Sequence, residues 1–160
     1  MEENQLVPAQ KSDLKEIFEL EQLCFDAEAF TRRQLRYLLS QAKGYFLLRR
    51  QESRISAFMI LLKKKNSSGM RLYSIAVNPR FRGQGLGRIM LAEALKRAAA
   101  DGFKYLTLEV SEENKPAVTL YLQQGFEVFG ERRAYYKNGS TALLMRKAVG
   151  KSPEPLPNGL

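Results

Sequence analysis

The spacing of apolar positions changes several times along the chain, and each change predicts an element. Leu14, Ile17, Phe18 and Glu21 recur near helical spacing, and Ser12 suits the N-cap of a helix ending near Cys24. Thr31 followed by Gln34 matches the capping-box pattern and opens a second helix through about Gln41. Three strand-like runs come next, Tyr45–Arg50, Ile55–Leu62 and Leu72–Val77, with turns expected at Glu52–Arg54 and Asn66–Gly69. A short first strand at Leu6–Ala9 precedes them all, weakened by Pro8.

Helical spacing returns at Arg88–Ala100, where Met90, Leu91, Ala94, Leu95 and Ala98 share one face. Asp101-Gly102 stops that helix, and Tyr105–Val110 reads as a buried strand. Asn114-Lys115-Pro116 opens a short helix ending at Gly125. Phe126–Gly130 and Thr141–Arg146 are the last strands, the second after the turn signal Asn138-Gly139. The order predicts an α+β fold: a mixed, largely antiparallel sheet of six to seven strands, about four helices, and a central β–α–β crossover. The crossover makes Leu72–Val77 and Tyr105–Val110 parallel neighbours. One domain is expected over 1–148, and a disordered tail over 149–160, where three prolines cluster.

Composition narrows the chemistry. The longest apolar stretch, Ile55–Leu62, is far short of the ~20 residues of a membrane span, and no basic-then-apolar leader opens the chain. A cytoplasmic protein is therefore expected. A single cysteine, Cys24, excludes an internal disulfide; near an apolar helix face and without a base partner, it reads as a buried thiol. There is no histidine, which excludes every His-dependent triad and any zinc site of ordinary ligand set, so no metal is expected. Acid–base work must fall to Asp, Glu, Lys, Tyr or an amine.

Lysine and arginine number 26 against 17 acids, a net charge of +9 that suits an anionic partner. Residues 1–28 run the other way, with eight acids against Lys11 and Lys15. Two poles of opposite sign suggest two kinds of ligand. No recognisable DNA- or RNA-binding motif accompanies the basic residues, so nucleic acid is not the expected partner.

The segment Ser74–Arg88 carries the most specific signal. A strand runs into a loop with glycine at 83, 85 and 87, and the loop opens straight into a helix. Glycines let backbone N–H groups converge on a phosphate at a helix N-terminus, and Arg80, Arg82 and Arg88 add charge. Neither the dinucleotide-binding fingerprint nor the P-loop fits the spacing.

Arg82-x-x-Gly85-x-Gly87 resembles the Arg/Gln-x-x-Gly-x-Gly/Ala signature of the GNAT superfamily of acetyl-CoA-dependent N-acetyltransferases. Leu108-Glu109-Val110, Asn114 and Ala117-Val118-x-Leu120-Tyr121-x-x-x-Gly125-Phe126 resemble the next segment of that family in order and spacing. Arg132-Arg133-x-Tyr135-Tyr136 and Ala142–Met145 resemble its ribosomal-protein alanine N-acetyltransferase branch.

The resemblance implies roles. Ile75, Ala76 and Val77 would lie along the acetyl-pantetheine arm, and the backbone of Arg82, Gly83, Gln84, Gly85, Leu86, Gly87 and Arg88 would hold the pyrophosphate. Asn114 would hydrogen-bond the cofactor. Glu109 would be the general base, and Tyr121 would protonate the leaving thiolate. Read from spacing alone, Tyr121 is equally a core aromatic on an amphipathic helix. Phe25, Asp26, Glu28, Tyr135 and Tyr136 would border the amine acceptor, although Tyr135 and Tyr136 read from the sequence alone equally as packing on the sheet. The branch usually has a Pro-Trp pair after its first helix, whereas residues 24–30 here read Cys-Phe-Asp-Ala-Glu-Ala-Phe and the chain has no tryptophan. The expected activity is direct acetyl transfer from acetyl-CoA to a primary amine, with a protein N-terminus as the favoured acceptor and a polyamine, amino acid or aminoglycoside as the alternative; an acetyl-CoA sensor without turnover, and the choice between monomer and dimer, stay open.

Overall fold

The computed structural model describes residues 4–150. The predicted tail beyond Gly150 lies outside the described residues. Val149 is tied to the fold, its N–H donating to the Lys104 carbonyl.

In chain order the elements are β1 (Val7–Pro8), α1 (Leu14–Phe25), α2 (Arg32–Ser40), β2 (Gly44–Gln51), β3 (Arg54–Leu62), β4 (Gly69–Val77), α3 (Leu86–Ala100), β5 (Tyr105–Ser111), α4 (Lys115–Gln123), β6 (Glu127–Arg132) and β7 (Ala142–Ala148). The strands form one seven-stranded sheet in the order β1-β2-β3-β4-β5-β7-β6. Only β4 and β5 run parallel, joined by α3 as the crossover pattern predicts. The α+β architecture with four helices is the expected one.

Three local readings need correction. Ser12 does not cap α1. The chain enters that helix through a 3-10 turn at Lys11–Asp13, where the Asp13 carboxylate accepts from the Gln10 N–H at 2.8 Å. Gly69 belongs to β4 rather than to the preceding turn: a Cβ there would meet Thr107 Cγ2 at 2.7 Å, so glycine is what lets β4 lie against β5. Helix α3 starts two residues before Arg88, because Gly85 takes a left-handed φ of 75° and the helix follows at once.

Both sheet faces are buried, which explains why β3 is apolar at every position from Ala57 to Leu62. Ala57, Met59 and Leu61 face a core shared with α3 and α4, while Phe58 and Ile60 face a second core under α1 and α2. Helix α1 is fastened to the β2–β3 hairpin by charge. Arg50 donates to Asp13 at 2.7 Å and to Glu16 at 2.9 Å, and Glu16 also accepts from the Ile55 N–H at 2.6 Å. Among the described residues no helix is long and apolar enough to cross a membrane.

Candidate active site

A β-bulge prepares the site. Leu61 pairs with Leu72 and Ile60 with Ser74, so Tyr73 has no opposite number on β3. The extra residue reverses the alternation of β4: Leu72 faces the α3 core, yet Ile75 faces it too, and Ala76 turns to the α1 core. Bulges bend and twist a strand. Here the bend comes where β4 leaves β5, whose last pair is Leu72 with Leu108. Both strands run on, to Val77 and Ser111, and the gap between them is a cavity of about 590 Å³.

The cavity gathers most of the predicted acetyl- and acceptor-side residues. Ile75, Glu109, Asn114, Tyr121, Phe25, Glu28, Tyr135 and Tyr136 all line it. Ala76 does not; it is buried on the other face. Val77 closes the strand, its carbonyl accepting from Arg82 Nε at 3.3 Å and from the Cys24 thiol at 3.6 Å. Cys24 is half-buried at the cavity wall rather than fully buried as expected, and burial pushes its thiol up. The Oδ1 of Asn114 caps α4 by accepting from the Ala117 N–H at 3.3 Å.

Glu109 projects from β5 and is held by a residue that the sequence reading passed over. Arg71 Nη2 donates to Glu109 Oε2 at 3.0 Å, and the same guanidinium lies 4.8 Å from the centre of the Tyr73 ring. The Tyr135 hydroxyl is pushed up first by its interaction with the Glu109 carboxylate and then by burial. Tyr121 belongs to the core and to the cavity wall at once. Its ring packs edge-on to Phe126 at 5.6 Å in the α3 core, and it also lines the cavity. Burial, and then the neighbouring Tyr136, push its hydroxyl up to about 12. Tyr136 also rises to about 12, through burial and then the charge of Glu109. These phenols stay protonated, so they can donate but not accept a proton.

The cavity mouth is clipped shut on one side. Glu28 accepts from the Lys137 N–H at 2.7 Å, and Lys137 Nζ donates to the Ala27 carbonyl at 2.8 Å, which joins the α1–α2 connector to the β6–β7 loop. Glu28 is thus partly committed to holding this loop rather than presented bare to a cation. The side chain of Asp26 lies outside the described residues. On the α2 side Phe30 stacks on Tyr73 with centroids 5.3 Å apart. Glu21, on α1, also lines the cavity and did not figure among the predicted site residues.

The glycine loop forms a second region beyond the end of β4, and none of Arg82–Arg88 lines the cavity. Its glycines differ in purpose. Gly83 and Gly85 take positive φ, and a Cβ on either would meet no neighbour within 4 Å. Gly87 is a packing glycine, since its Cβ would press on Leu120 Cδ2 of α4 at 3.0 Å. Leu86 is buried, so only its backbone can serve a ligand, while Arg82 and Arg88 are exposed. The α3 N-terminus has no capping side chain. An uncapped helix start, an open left-handed glycine and two exposed arginines fit a pyrophosphate. The edge of β4 freed beyond Leu72 fits an amide-bearing arm laid beside it like an added strand.

A family model for the Acetyltransferase (GNAT) family matches residues 14–126. The chain belongs to this family. It is 30% identical over 134 residues to the [ribosomal protein bS18]-alanine N-acetyltransferase of Escherichia coli K12, covering 83% of this chain and 87% of that one. It is 40% identical over 80 residues to N-alpha-acetyltransferase RimI of Mycobacterium tuberculosis, but that match spans only about half of each protein, 49% and 49%. The crystal structure of the ribosomal-protein-S18-alanine N-acetyltransferase from Escherichia coli superposes with a TM-score of 0.79 at 26% identity, covering 96% of this chain and 98% of that one. As a GNAT protein the chain has the splayed β4–β5 pair and the glycine loop in the order its sequence predicted. Arg71, Glu21 and the Glu28–Lys137 clip were not foreseen.

Proposed function

We propose that this GNAT protein acetylates a primary amine directly, with acetyl-CoA as donor and the α-amine of a protein N-terminus as acceptor. The observation that carries the reading is that Glu109 and Tyr121 line one cavity, which opens where β4 and β5 part. Acetyl-CoA supplies an acetyl group activated as a thioester. The chain's part is to place and move protons. Glu109, steadied by Arg71, takes a proton from the attacking nitrogen. Tyr121, protonated at every physiological pH, gives one to the sulfur as the C–S bond breaks and the C–N bond forms. The freed edge at Ile75–Val77 and the backbone of Arg82–Arg88 hold the donor, with the Asn114 side chain beside it.

The likeness to the alanine N-acetyltransferase of Escherichia coli supports a protein N-terminus as acceptor. The test is acetyl-CoA consumption in the presence of alanine-starting peptides, polyamines and aminoglycosides. Turnover with the peptides is expected. Turnover confined to polyamines or aminoglycosides would replace the acceptor, and binding of acetyl-CoA without turnover would make the protein a sensor. A cytoplasmic location suits such a substrate.

A further inference from the structure

One position in the apolar stripe of α1 carries a carboxylate. Glu21 continues the spacing of Leu14, Ile17 and Phe18, and it is 1% exposed. Its Oε2 accepts from the Phe30 N–H at 2.8 Å, which fixes the α1–α2 connector. Its Oε1 is buried and has no hydrogen-bond partner among the described residues. Burying half of a carboxylate without a partner is costly. A glutamine would hold the Phe30 N–H equally well without a charge to bury, so fixing the connector does not account for an acid here.

Placement gives the acid a task. Glu21 lines the same cavity as Glu109 and Tyr121. Cys24, one helical turn further on, reaches the Val77 carbonyl, so this stretch of α1 lies against the freed end of β4. Glu109 is engaged by Arg71, whereas Glu21 offers an oxygen that is not engaged. We propose that Glu21 receives the acceptor's ammonium group and takes its first proton. An N–H bond of the ammonium breaks, an O–H bond forms on Oε1, and the nitrogen keeps the electron pair with which it attacks. The proton returns to solvent after product leaves, and nothing is oxidised or reduced.

This role rests on the acetyltransferase reading and gives it a second carboxylate. Glu21 removes the proton that makes the amine unreactive, and Glu109 serves the later step. The surroundings suit it. Burial pushes the Glu21 carboxyl up to about 7, against the pull of the Phe30 N–H. An α-amine ordinarily ionises near ~8, so transfer between the two is nearly balanced. The other charged or titratable groups facing this region are Cys24 with Arg82 behind it, Glu28, Lys137, the Arg71–Glu109 pair and the phenols of Tyr73, Tyr121, Tyr135 and Tyr136.

The test compares the full chain with Glu21→Gln, which keeps an acceptor for the Phe30 N–H. Assays use an alanine-starting peptide and spermidine in parallel. In the native protein kcat/KM for the amine should trace a bell, rising as Glu21 ionises and falling as the ammonium loses its proton. In Glu21→Gln the bell should become a single rise that follows the free amine, with kcat/KM lower by about 10²-fold near neutral pH and the KM for acetyl-CoA unchanged. An identical profile in both proteins would overturn the proposal. Turnover of spermidine alone would overturn the protein-N-terminus reading and leave Glu21 to be judged on the spermidine profile, and turnover of neither would overturn both. Independently of activity, the carboxyl infrared band lost in Glu21→Gln should titrate near 7 in the native protein; a midpoint in the ordinary carboxylate range would also overturn it.

Discussion

The guanidinium of Arg71 donates to the Glu109 carboxylate across 3.0 Å, one residue before β4 and β5 cease to pair. The ion pair spans the last closed rung of the parallel ladder and aims the carboxylate at the opening beyond it. Glu109→Gln should lower kcat by about 10²- to 10⁴-fold, the usual range for a lost general base. Arg71→Met should lower it less, because the base remains but is no longer held. The double variant should resemble Glu109→Gln alone, since both changes act through one group. Steady-state kcat for the three proteins checks this, and an additive double variant would mean that Arg71 has a task of its own.

Tyr121 has a hydroxyl at the cavity and a ring in the core, so its two truncations should separate. Tyr121→Phe keeps the edge contact with Phe126 and should retain native stability while kcat falls by about 10²-fold or more. Tyr121→Ala should lose activity and also about 3–5 kcal/mol of stability, read from urea unfolding. Because burial holds the hydroxyl near 12, any alkaline fall in rate below that pH belongs to another group.

The glycine loop should divide according to the separate tasks of its residues. Gly85→Ala faces open space but a φ of 75°, so it should weaken acetyl-CoA binding moderately through backbone strain of about 1–2 kcal/mol. Gly85→Asp adds a carboxylate at the proposed pyrophosphate site and should abolish binding. Gly87→Ala should cost stability through Leu120 before it affects affinity. Arg82→Ala should reduce both affinity and its dependence on salt. Calorimetry against acetyl-CoA at two ionic strengths separates these outcomes; equal binding by Gly85→Asp and Gly85→Ala would remove the phosphate from this loop.

The contrast between what was readable and what was not has a physical basis. Strand and helix positions follow from periodicity, and the Thr31 capping box from a local pattern, with the Thr31 hydroxyl accepting from the Gln34 N–H at 3.1 Å. Glu109 and Tyr121 could be singled out because they follow the glycine loop at a family's spacing, and both line the cavity. The bulge at Tyr73 left no mark, since Tyr-Ser-Ile-Ala-Val reads as plain strand in either register. Arg71 was invisible because its partner lies 38 residues away on another strand. Glu21 did leave a signal. It sits at a position that helical spacing assigns to the buried face, where an acid is out of place unless something there calls for one.

The Glu28–Lys137 clip joins the two segments proposed to border the acceptor, 109 residues apart in sequence. Glu28→Ala removes the acceptor of the Lys137 N–H and should loosen the β6–β7 loop that carries Tyr135 and Tyr136. The KM for the amine should rise while the KM for acetyl-CoA, held on the far side, stays as it was. Lys137→Ala keeps the backbone bond and should have the smaller effect. If Glu28→Ala changes both KM values together, the clip supports the whole sheet rather than the acceptor side.

Glu21 predicts an unusual dependence of stability on pH. Its carboxyl titrates near 7 when folded against 4.5 ordinarily, so the native state binds this proton more tightly than the unfolded chain does. The stability this contributes is complete below about 4.5 and is lost as pH rises through about 7. A shift of this size corresponds to roughly 3 kcal/mol. Glutamine keeps the bond to the Phe30 N–H and has no proton to lose. Glu21→Gln should therefore match the native protein in mild acid and exceed it in stability above neutral pH, by up to that amount. Urea midpoints measured from pH 5 to 8 would show the two curves parting as the native one declines. A variant that is more stable and less active would identify Glu21 as an acid kept for its proton rather than for the fold. Parallel curves would mean that Oε1 finds a partner in solution and that its burial carries no cost.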